Sequence, residues 1–189
     1  MPPKCKFTKQ EVVQAALDMT REGGIASVTA RALGERLGSS SRPIFSLFQN
    51  MQEVQREVIQ AADTLYQEYL KRDMEAGEYP VYKASGMAYI RFAKDERELF
   101  KLLFMRDRSA EPPEDEPNEL RPLIEIIMKN TGLSEQEAYL FHLEMWVYVH
   151  GIATMIATSY LEWRWDTISQ MLTDGYMGLK ERFCKKEIK

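Results

Sequence analysis

The 189-residue chain is predicted to be all-α, with a three-helix head joined by a long helix to a larger helical body. Three capping-box sequences, each a Thr, Asn or Ser followed three residues later by Glu, begin at Thr8, Asn50 and Ser134. After each of them, apolar residues recur at the spacing of an amphipathic helix. These signals predict a head of residues 1–50 and a body of residues 51–189.

The head begins with a helix that runs from Thr8 to about Glu22. Its apolar residues share one face, and a second apolar set downstream completes a three-helix core around it. The first set is Val12, Ala15, Ala16 and Met19, and the second is Val28, Leu33, Leu37 and Ile44.

Residues 27–54 have the layout of a helix-turn-helix. Gly34 is expected where two crossing helices come closest, and Gly38 is expected to end the first of them with a positive φ. Any of the serines 39–41 can cap the second helix. In this motif the second helix usually enters the major groove of DNA.

Charge favours DNA over the plainer interpretation that this is an ordinary pair of packed helices. Residues 1–50 hold seven Lys or Arg residues against four Asp or Glu residues, so the head carries +3. The whole chain carries −4, which leaves −7 on the body. A basic head on an acidic body concentrates the field that attracts phosphate at one end of the chain.

Residues 1 to about 55 resemble the DNA-binding head of the TetR family of ligand-responsive transcriptional repressors. The resemblance rests on the Thr8 cap, the Glu22-Gly23-Gly24 turn, Thr29 with Arg31, Gly38-Ser39-Ser40, and Phe45 with Phe48. The chain departs from the family pattern at Ser39, Phe45 and Met51, where relatives usually have Val or Ile, Tyr, and Lys. In the family that Tyr and Lys typically contact DNA phosphates.

Arg42 is the predicted base-contacting side chain, because arginine pairs bidentately with guanine O6 and N7 in the major groove. Pro43 is tolerated beside it in the first helical turn. Thr29 and Arg31 are expected to contact the DNA backbone. The full set of predicted DNA-binding residues is Thr29, Arg31, Ser40, Ser41, Arg42, Pro43, Phe45, Ser46 and Asn50.

The body is expected to be helical between its glycines and prolines. The predicted helices run from Asn50 to about Ala76, over Val81–Lys94, Glu96–Arg106 and Glu119–Asn130, from Ser134 to about Tyr160, and from Trp163 to about Cys184. Residues 109–119, rich in proline and acid, are predicted to be a solvated loop.

The last two helices are apolar and contain several small residues, which let helices approach closely. These residues are Gly151, Ala153, Ala157, Gly175 and Gly178. They suit either a buried core or a homodimer interface. The TetR resemblance implies the homodimer, since that family pairs through its last two long helices into a four-helix bundle. Trp146, His150 and Gly151 also resemble a "WHG"-type regulatory domain of the family.

The body has enough aromatic and methionine side chains to line an apolar ligand cavity, although each is equally suited to a filled core. The family resemblance implies a cavity for a small-molecule effector of unknown identity. The predicted ligand-binding residues are Tyr66, Tyr89, Phe92, Phe104, Phe141, Met145, Trp146 and His150.

Catalysis is not expected, because the sequence lacks a P-loop, a GxGxxG motif after a strand, and an HExxH motif. Cys5 and Cys184 form no metal-spaced cluster, and no metal or cofactor is expected. No run of 18 apolar residues and no secretory signal is found, so a cytoplasmic protein is expected. The predicted function is a ligand-responsive repressor that binds a palindromic DNA operator. The alternative is a helical small-molecule-binding or scaffolding protein without specific DNA binding.

Overall fold

A computed structural model describes residues 7–109 and 116–185, and in these ranges the protein contains α-helices and short 3-10 turns but no strand. The all-α prediction is therefore confirmed. The helices are α1 (Lys9–Gly23), α2 (Ala30–Arg36), α3 (Met51–Glu75), α4 (Val81–Asp95), α5 (Arg97–Phe104), α6 (Glu116–Thr131), α7 (Glu135–Ala157) and α8 (Trp165–Cys184), with 3-10 turns at Ile25–Ser27 and Ile44–Ser46.

The described residues form two compact units. Unit 1 comprises the described part of Met1–Glu68 together with Asp95–Arg106. Unit 2 comprises Tyr69–Lys94 and the described part of Asp107–Lys189. Unit 1 contains α1, α2, α5 and the first part of α3, whereas unit 2 contains the end of α3 with most of α4 and α6 to α8.

The core of unit 1 forms where α1 packs against α2 and α5. Its fully buried apolar side chains come from each α-helix of the unit and from the turn Ile44–Ser46: Val12, Ala16, Leu33, Ile44, Val54, Val58, Ala62, Leu99 and Phe100. The predicted capping box at the start of α1 is present, with Thr8 accepting from the Glu11 amide and Glu11 returning the bond. Arg21 ties α1 to the start of α5 through a bidentate contact with Glu96, at 2.8 and 3.1 Å.

Unit 2 is built on α4, α7 and α8. Tyr82 contacts His142 and Tyr89 contacts His150, so α4 and α7 run in the same direction. Lys83 bonds Ser169 on α8, whereas Arg91, two turns further along α4, lies over Trp165 at the start of α8. The order is therefore reversed, and α4 and α8 are antiparallel.

Three helix boundaries differ from the predictions. α6 begins at Glu116, inside the predicted loop of residues 109–119, because a proline in the first turn lacks only an N–H that has no helical partner there. Residues 110–115 of that loop lie outside the described residues. α7 ends at Ala157 rather than near Tyr160, because Ser159 adopts a positive φ of 56°, and α8 begins at Trp165 rather than Trp163.

One helix of the described chain, α7, is long and apolar enough to cross a membrane by length and composition. It supplies buried residues such as Phe141, Met145 and Ile152 to unit 2. A buried core helix passes the same length and composition test, so a single helix of this kind is weak evidence for a membrane span.

Candidate functional site

The turn after α2 closes with two backbone bonds that leave Gly38 in the left-handed conformation. The Ser39 amide donates to the Gly34 carbonyl at 2.9 Å, and the Gly38 amide donates to the Glu35 carbonyl at 3.0 Å. This pair of bonds is the Schellman motif, and it places Gly38 at φ 62°. The predicted role of Gly38 as the helix-ending residue is confirmed.

Gly34 lies against the backbone of this turn. A Cβ atom at Gly34 would lie 2.9 Å from the Ser40 carbonyl carbon and 3.0 Å from the Ser41 nitrogen. Backbone atoms cannot swing aside as the end of a flexible side chain can, so only glycine fits without a shift of the turn. The close approach expected from the sequence is present.

The second helix of the motif is a single 3-10 turn, Ile44–Ser46, extended on both sides by backbone bonds. The Ser41 carbonyl accepts from the Ile44 amide at 3.1 Å, and the Ile44 carbonyl accepts from the Phe48 amide at 3.0 Å. No serine side chain caps the turn, and Pro43 occupies its N-cap position. The predicted serine cap is therefore wrong, because the Ser41 backbone carbonyl starts the turn instead.

One side of the turn is buried in the protein and the other side is exposed to solvent. Ile44 and Phe48 are 0% and 2% exposed and anchor it in the core of unit 1. Arg42, Phe45 and Ser46 are exposed. The Ser46 hydroxyl donates to the Pro43 carbonyl at 2.6 Å. Among the described residues, no hydrogen bond or ion pair occupies Arg42, so its guanidinium donors are available to an external acceptor.

Three residues near the turn that are predicted to contact DNA also make contacts within the protein. Thr29 caps α2 by accepting from the Ala32 amide, and Asn50 caps α3 by accepting from the Glu53 amide at 2.9 Å. Arg31 pairs with Glu35 at 2.9 Å in a solvent-exposed bridge. Exposed pairs of this kind contribute roughly 0–1 kcal/mol, so a phosphate can compete for Arg31.

Lys9 contacts the start of α3, a role that was not predicted from the sequence. Its ammonium group lies 3.1 Å from Glu53 and 4.9 Å from the ring centre of Phe48. The contact with Lys9 and a bond from the Gln49 amide hold the pKa of Glu53 below its usual value. Lys9 and Glu53 are far apart in sequence, so no local pattern signals their contact.

In unit 2, the structure brings together three predicted ligand-binding residues. The Tyr89 hydroxyl lies 2.8 Å from Nδ1 of His150, and the Trp146 ring stacks on His150 with centres 5.2 Å apart. Burial lowers the pKa of His150, which favours its neutral form. The group therefore offers a hydrogen-bonding edge beside a broad aromatic face.

A second Tyr–His pair lies two turns earlier on α7. The Tyr82 hydroxyl is 3.1 Å from Nδ1 of His142, and burial lowers the pKa of this histidine and raises that of Tyr82. Phe141, a predicted ligand residue, is fully buried among Tyr82, Tyr176 and Phe183. Tyr82 and Tyr176 were absent from the predicted set, although Tyr82 and Tyr89 are separated by about two helical turns, as the two histidines are.

The predicted ligand-binding residues divide between the units. Tyr66 and Phe104 belong to unit 1, where their rings meet edge to face at 5.1 Å, and burial raises the pKa of Tyr66. The remaining six, from Tyr89 to His150, belong to unit 2. Phe92 and Met145 are buried there, whereas Trp146 is 43% exposed.

Comparison with known proteins bears on both units. A family model described as "Tetracyclin repressor-like, C-terminal domain" matches residues 82–174. This part of the chain is therefore a TetR-type C-terminal domain. A solved structure of a glutamine-to-alanine variant of TetR from Acinetobacter baumannii AYE, in complex with minocycline, has a similar fold with a TM-score of 0.55. The two chains are 19% identical, and the alignment covers 93% of this chain and 94% of that one. No curated protein sequence matches this chain.

The TetR-family body of this chain also exposes an apolar stripe along α7. Leu140, Val147 and Met155 are 44%, 63% and 39% exposed, and Gly151 lies on the same face. A Cβ atom at Gly151 would meet nothing within 4 Å. On α8, Met177 is exposed, and Gly178 has the same open surroundings.

Other small residues of the last two helices serve the protomer itself. Ala153 and Ala157 are 0% and 1% exposed, so they pack inside unit 2 and are not available to a second chain. A Cβ atom at Gly175 would lie 3.1 Å from the Tyr148 ring. Of the two interpretations of these small residues, the buried core therefore applies to these three.

Proposed function

We propose that this protein is a cytoplasmic, homodimeric DNA-binding regulator of the TetR family. In this proposal residues 1–50 bind a palindromic operator as a repressor. Residues 51–189 form the dimer and bind a small-molecule inducer that releases the DNA. The inducer acts by binding the DNA-competent and DNA-incompetent states with different affinities.

The observation that carries the proposal is the exposed turn around Arg42 in a chain with a TetR-type body. Arg42 stands on a turn that Gly34, Ile44 and Phe48 hold rigidly, and its donors have no acceptor among the described residues. An arginine held in this way is suited to bidentate recognition of guanine in the major groove. The surrounding hydroxyls and Asn50 complete the predicted interface.

The exposed stripe on α7 supports the homodimer. Leu140, Val147 and Met155 leave apolar area in water, and Gly151 lets a second helix approach without steric conflict. A helix-interior glycine costs about 1 kcal/mol relative to alanine, and no packing contact inside the protomer requires Gly151. Close packing of a partner helix at Gly151 would explain why a glycine occupies this position.

Support for an effector comes from the Tyr89–His150–Trp146 group and from the family. The similar TetR structure is a complex with minocycline, and in this chain the Trp146 and His150 rings form a stacked pair beside the Tyr89 hydroxyl. Minocycline is therefore a reasonable first probe in a thermal-shift screen. Tyr89→Phe, which removes the hydroxyl bonded to His150, is the variant that tests whether a compound found in the screen binds there.

Paired arginine variants test the DNA function. Arg42→Ala should weaken operator binding by ~1–3 kcal/mol and change binding to random duplex little, because it removes a base contact. Arg31→Ala is the matched control, since Arg31 is also exposed but is predicted to contact phosphate. It should weaken both duplexes alike and reduce the salt slope by about one per subunit.

The measurement is fluorescence anisotropy on both duplexes across a salt series, with an operator obtained by selection from random sequences. Equal losses on both duplexes for Arg42→Ala would show that Arg42 contacts phosphate and that its assignment to bases is wrong. A wild-type affinity independent of salt would contradict DNA binding itself.

One observation favours the alternative of a helical small-molecule-binding or scaffolding protein without specific DNA binding. Phe45 and Met51 stand where the family usually has phosphate-contacting Tyr and Lys, and neither side chain can bond a phosphate. The alternative predicts that selection from random duplexes enriches no sequence, whereas a thermal shift with small molecules persists.

A further inference from the structure

Phe45 is an aromatic side chain that unit 1 leaves in water. It is 48% exposed, and in the described part of the unit Met105, at 41%, is the other large apolar side chain with high exposure. Its neighbours Ile44 and Phe48 already anchor the turn in the core. Phe45 therefore adds no anchor to the fold, and its exposed ring area is available for contact with a partner.

The surroundings of Phe45 point to a partner that is both anionic and locally apolar. Arg42, three residues earlier on the same turn, is exposed and has no acceptor among the described residues. A purely apolar partner surface would have to desolvate this guanidinium without pairing it, which is costly. Duplex DNA satisfies both requirements, since its major groove presents hydrogen-bond acceptors together with one apolar group, the 5-methyl group of thymine.

The chemistry of the phenyl ring limits what it can contact on DNA. Phenylalanine has no donor or acceptor for a phosphate oxygen or for the polar edge of a base. Its contact with the major groove must therefore be apolar, and the thymine methyl is the apolar group there.

We propose that Phe45 is a specificity-determining residue that contacts the 5-methyl group of a thymine close to the guanine bound by Arg42. This inference rests on the proposed DNA-binding function and adds a thymine to the bases that the protein recognises. Three residues of 3-10 helix rise ~6 Å, and base pairs are spaced ~3.4 Å apart, so the thymine lies about two base pairs from the guanine.

Deoxyuridine tests the contact, because it pairs as thymidine does but lacks the 5-methyl group. Duplexes enriched by the wild-type protein from a random library are synthesised with each thymine replaced singly by uracil. At one thymine in each half-site, replacement by uracil should weaken wild-type binding about fourfold. This change corresponds to the free energy of burying one methyl group. Phe45→Ala should bind the thymine and uracil duplexes equally.

Two variants control for folding and for general loss of apolar surface. Met105→Ala removes the other exposed apolar side chain of unit 1 and should retain the full uracil effect. Phe45→Tyr keeps the ring and should also retain it. Melting curves of all variants should match the wild type, because both side chains are exposed.

The outcomes separate this inference from the function on which it depends. Enrichment of a sequence whose binding is unchanged by every uracil replacement overturns the methyl contact but leaves DNA recognition intact. A uracil effect that persists in Phe45→Ala assigns the contact to another residue and also overturns the inference. Failure to enrich any sequence overturns the DNA-binding function itself.

Discussion

Gly34 in unit 1 and Gly151 in unit 2 are the same residue type in opposite surroundings. A Cβ atom at Gly34 would lie 2.9 Å from backbone, whereas one at Gly151 would meet nothing within 4 Å. Gly34 is thus explained by contacts within its own chain, and Gly151 is not. In the proposed homodimer, contact with a second chain explains Gly151.

The exposed apolar residues of the two units differ in a parallel way. Unit 1 exposes one ring, Phe45, beside a cation, whereas α7 of unit 2 exposes a stripe with Leu140, Val147 and Met155. Apolar side chains at helical spacing can pack against another helix. An aromatic ring beside an arginine suits a groove that presents both hydrogen-bond acceptors and apolar groups. This difference supports the proposal that unit 1 binds DNA and that unit 2 binds a second copy of the chain.

The largest expected effect is on association. Val147→Glu places a charge in the middle of the α7 stripe without disturbing the protomer, because Val147 is 63% exposed. A buried unpaired charge costs several kcal/mol, so the dimer should dissociate at least about 100-fold more readily. Sedimentation velocity measures this, with Gln10→Glu as a control that adds the same charge at an exposed position of α1, away from the stripe. Equal masses for Val147→Glu and the wild type would remove the stripe from the interface.

The next effect concerns the stability of unit 1. Gly34→Ala forces the backbone at Ser40 to move and should cost about 1–3 kcal/mol in urea unfolding. Gly38→Ala is the control, since its Cβ would meet nothing and the cost comes from the positive φ alone, about 1–2 kcal/mol. A neutral Gly34→Ala would show that the turn relaxes easily and does not hold Arg42 rigidly.

The smallest effect is a pH dependence confined to unit 2, which holds both histidines of the chain. Burial lowers the pKa of His142 and His150, so the unfolded state takes up protons first as the pH falls. The stabilisation is complete above the unfolded pKa of about 6.5 and is lost below it, at up to about 1.4 kcal/mol per pH unit for His142 and less for the more exposed His150.

Tryptophan fluorescence isolates this effect, because all three tryptophans also lie in unit 2. Urea unfolding at pH 7.5 and 5.5 should show a smaller loss of stability in His142→Gln than in the wild type. Identical losses would mean that His142 takes up the same number of protons in the folded and unfolded states, so that burial does not lower its pKa.

The sequence predicted those features that short segments determine. The capping residues Thr8 and Ser134 and the helix end at Gly38 depend on neighbours within four residues, and all three are present. The contact of Arg21 with Glu96 was not predicted, because tertiary packing alone brings residues so far apart in sequence together. The same holds for the pairing of Tyr82 with His142, which depends on the direction of α4 relative to α7.

The candidate site was predicted in part for the same reason. The exposure of Arg42 and Phe45 follows from the burial of Ile44 and Phe48, whose apolar spacing is visible in the sequence. The reduction of the second helix to one turn was not visible, because it depends on Pro43 and the Schellman bonds acting together.

The central claim, that two copies of unit 1 bind one operator while unit 2 joins them, is tested most directly by footprinting the wild-type protein on a duplex enriched by selection. The account predicts a two-fold symmetric footprint, two chains per duplex, and half-sites one helical turn or a multiple of it apart, ~34 Å per turn. A single asymmetric footprint occupied by one chain, or no protected site at all, would contradict it.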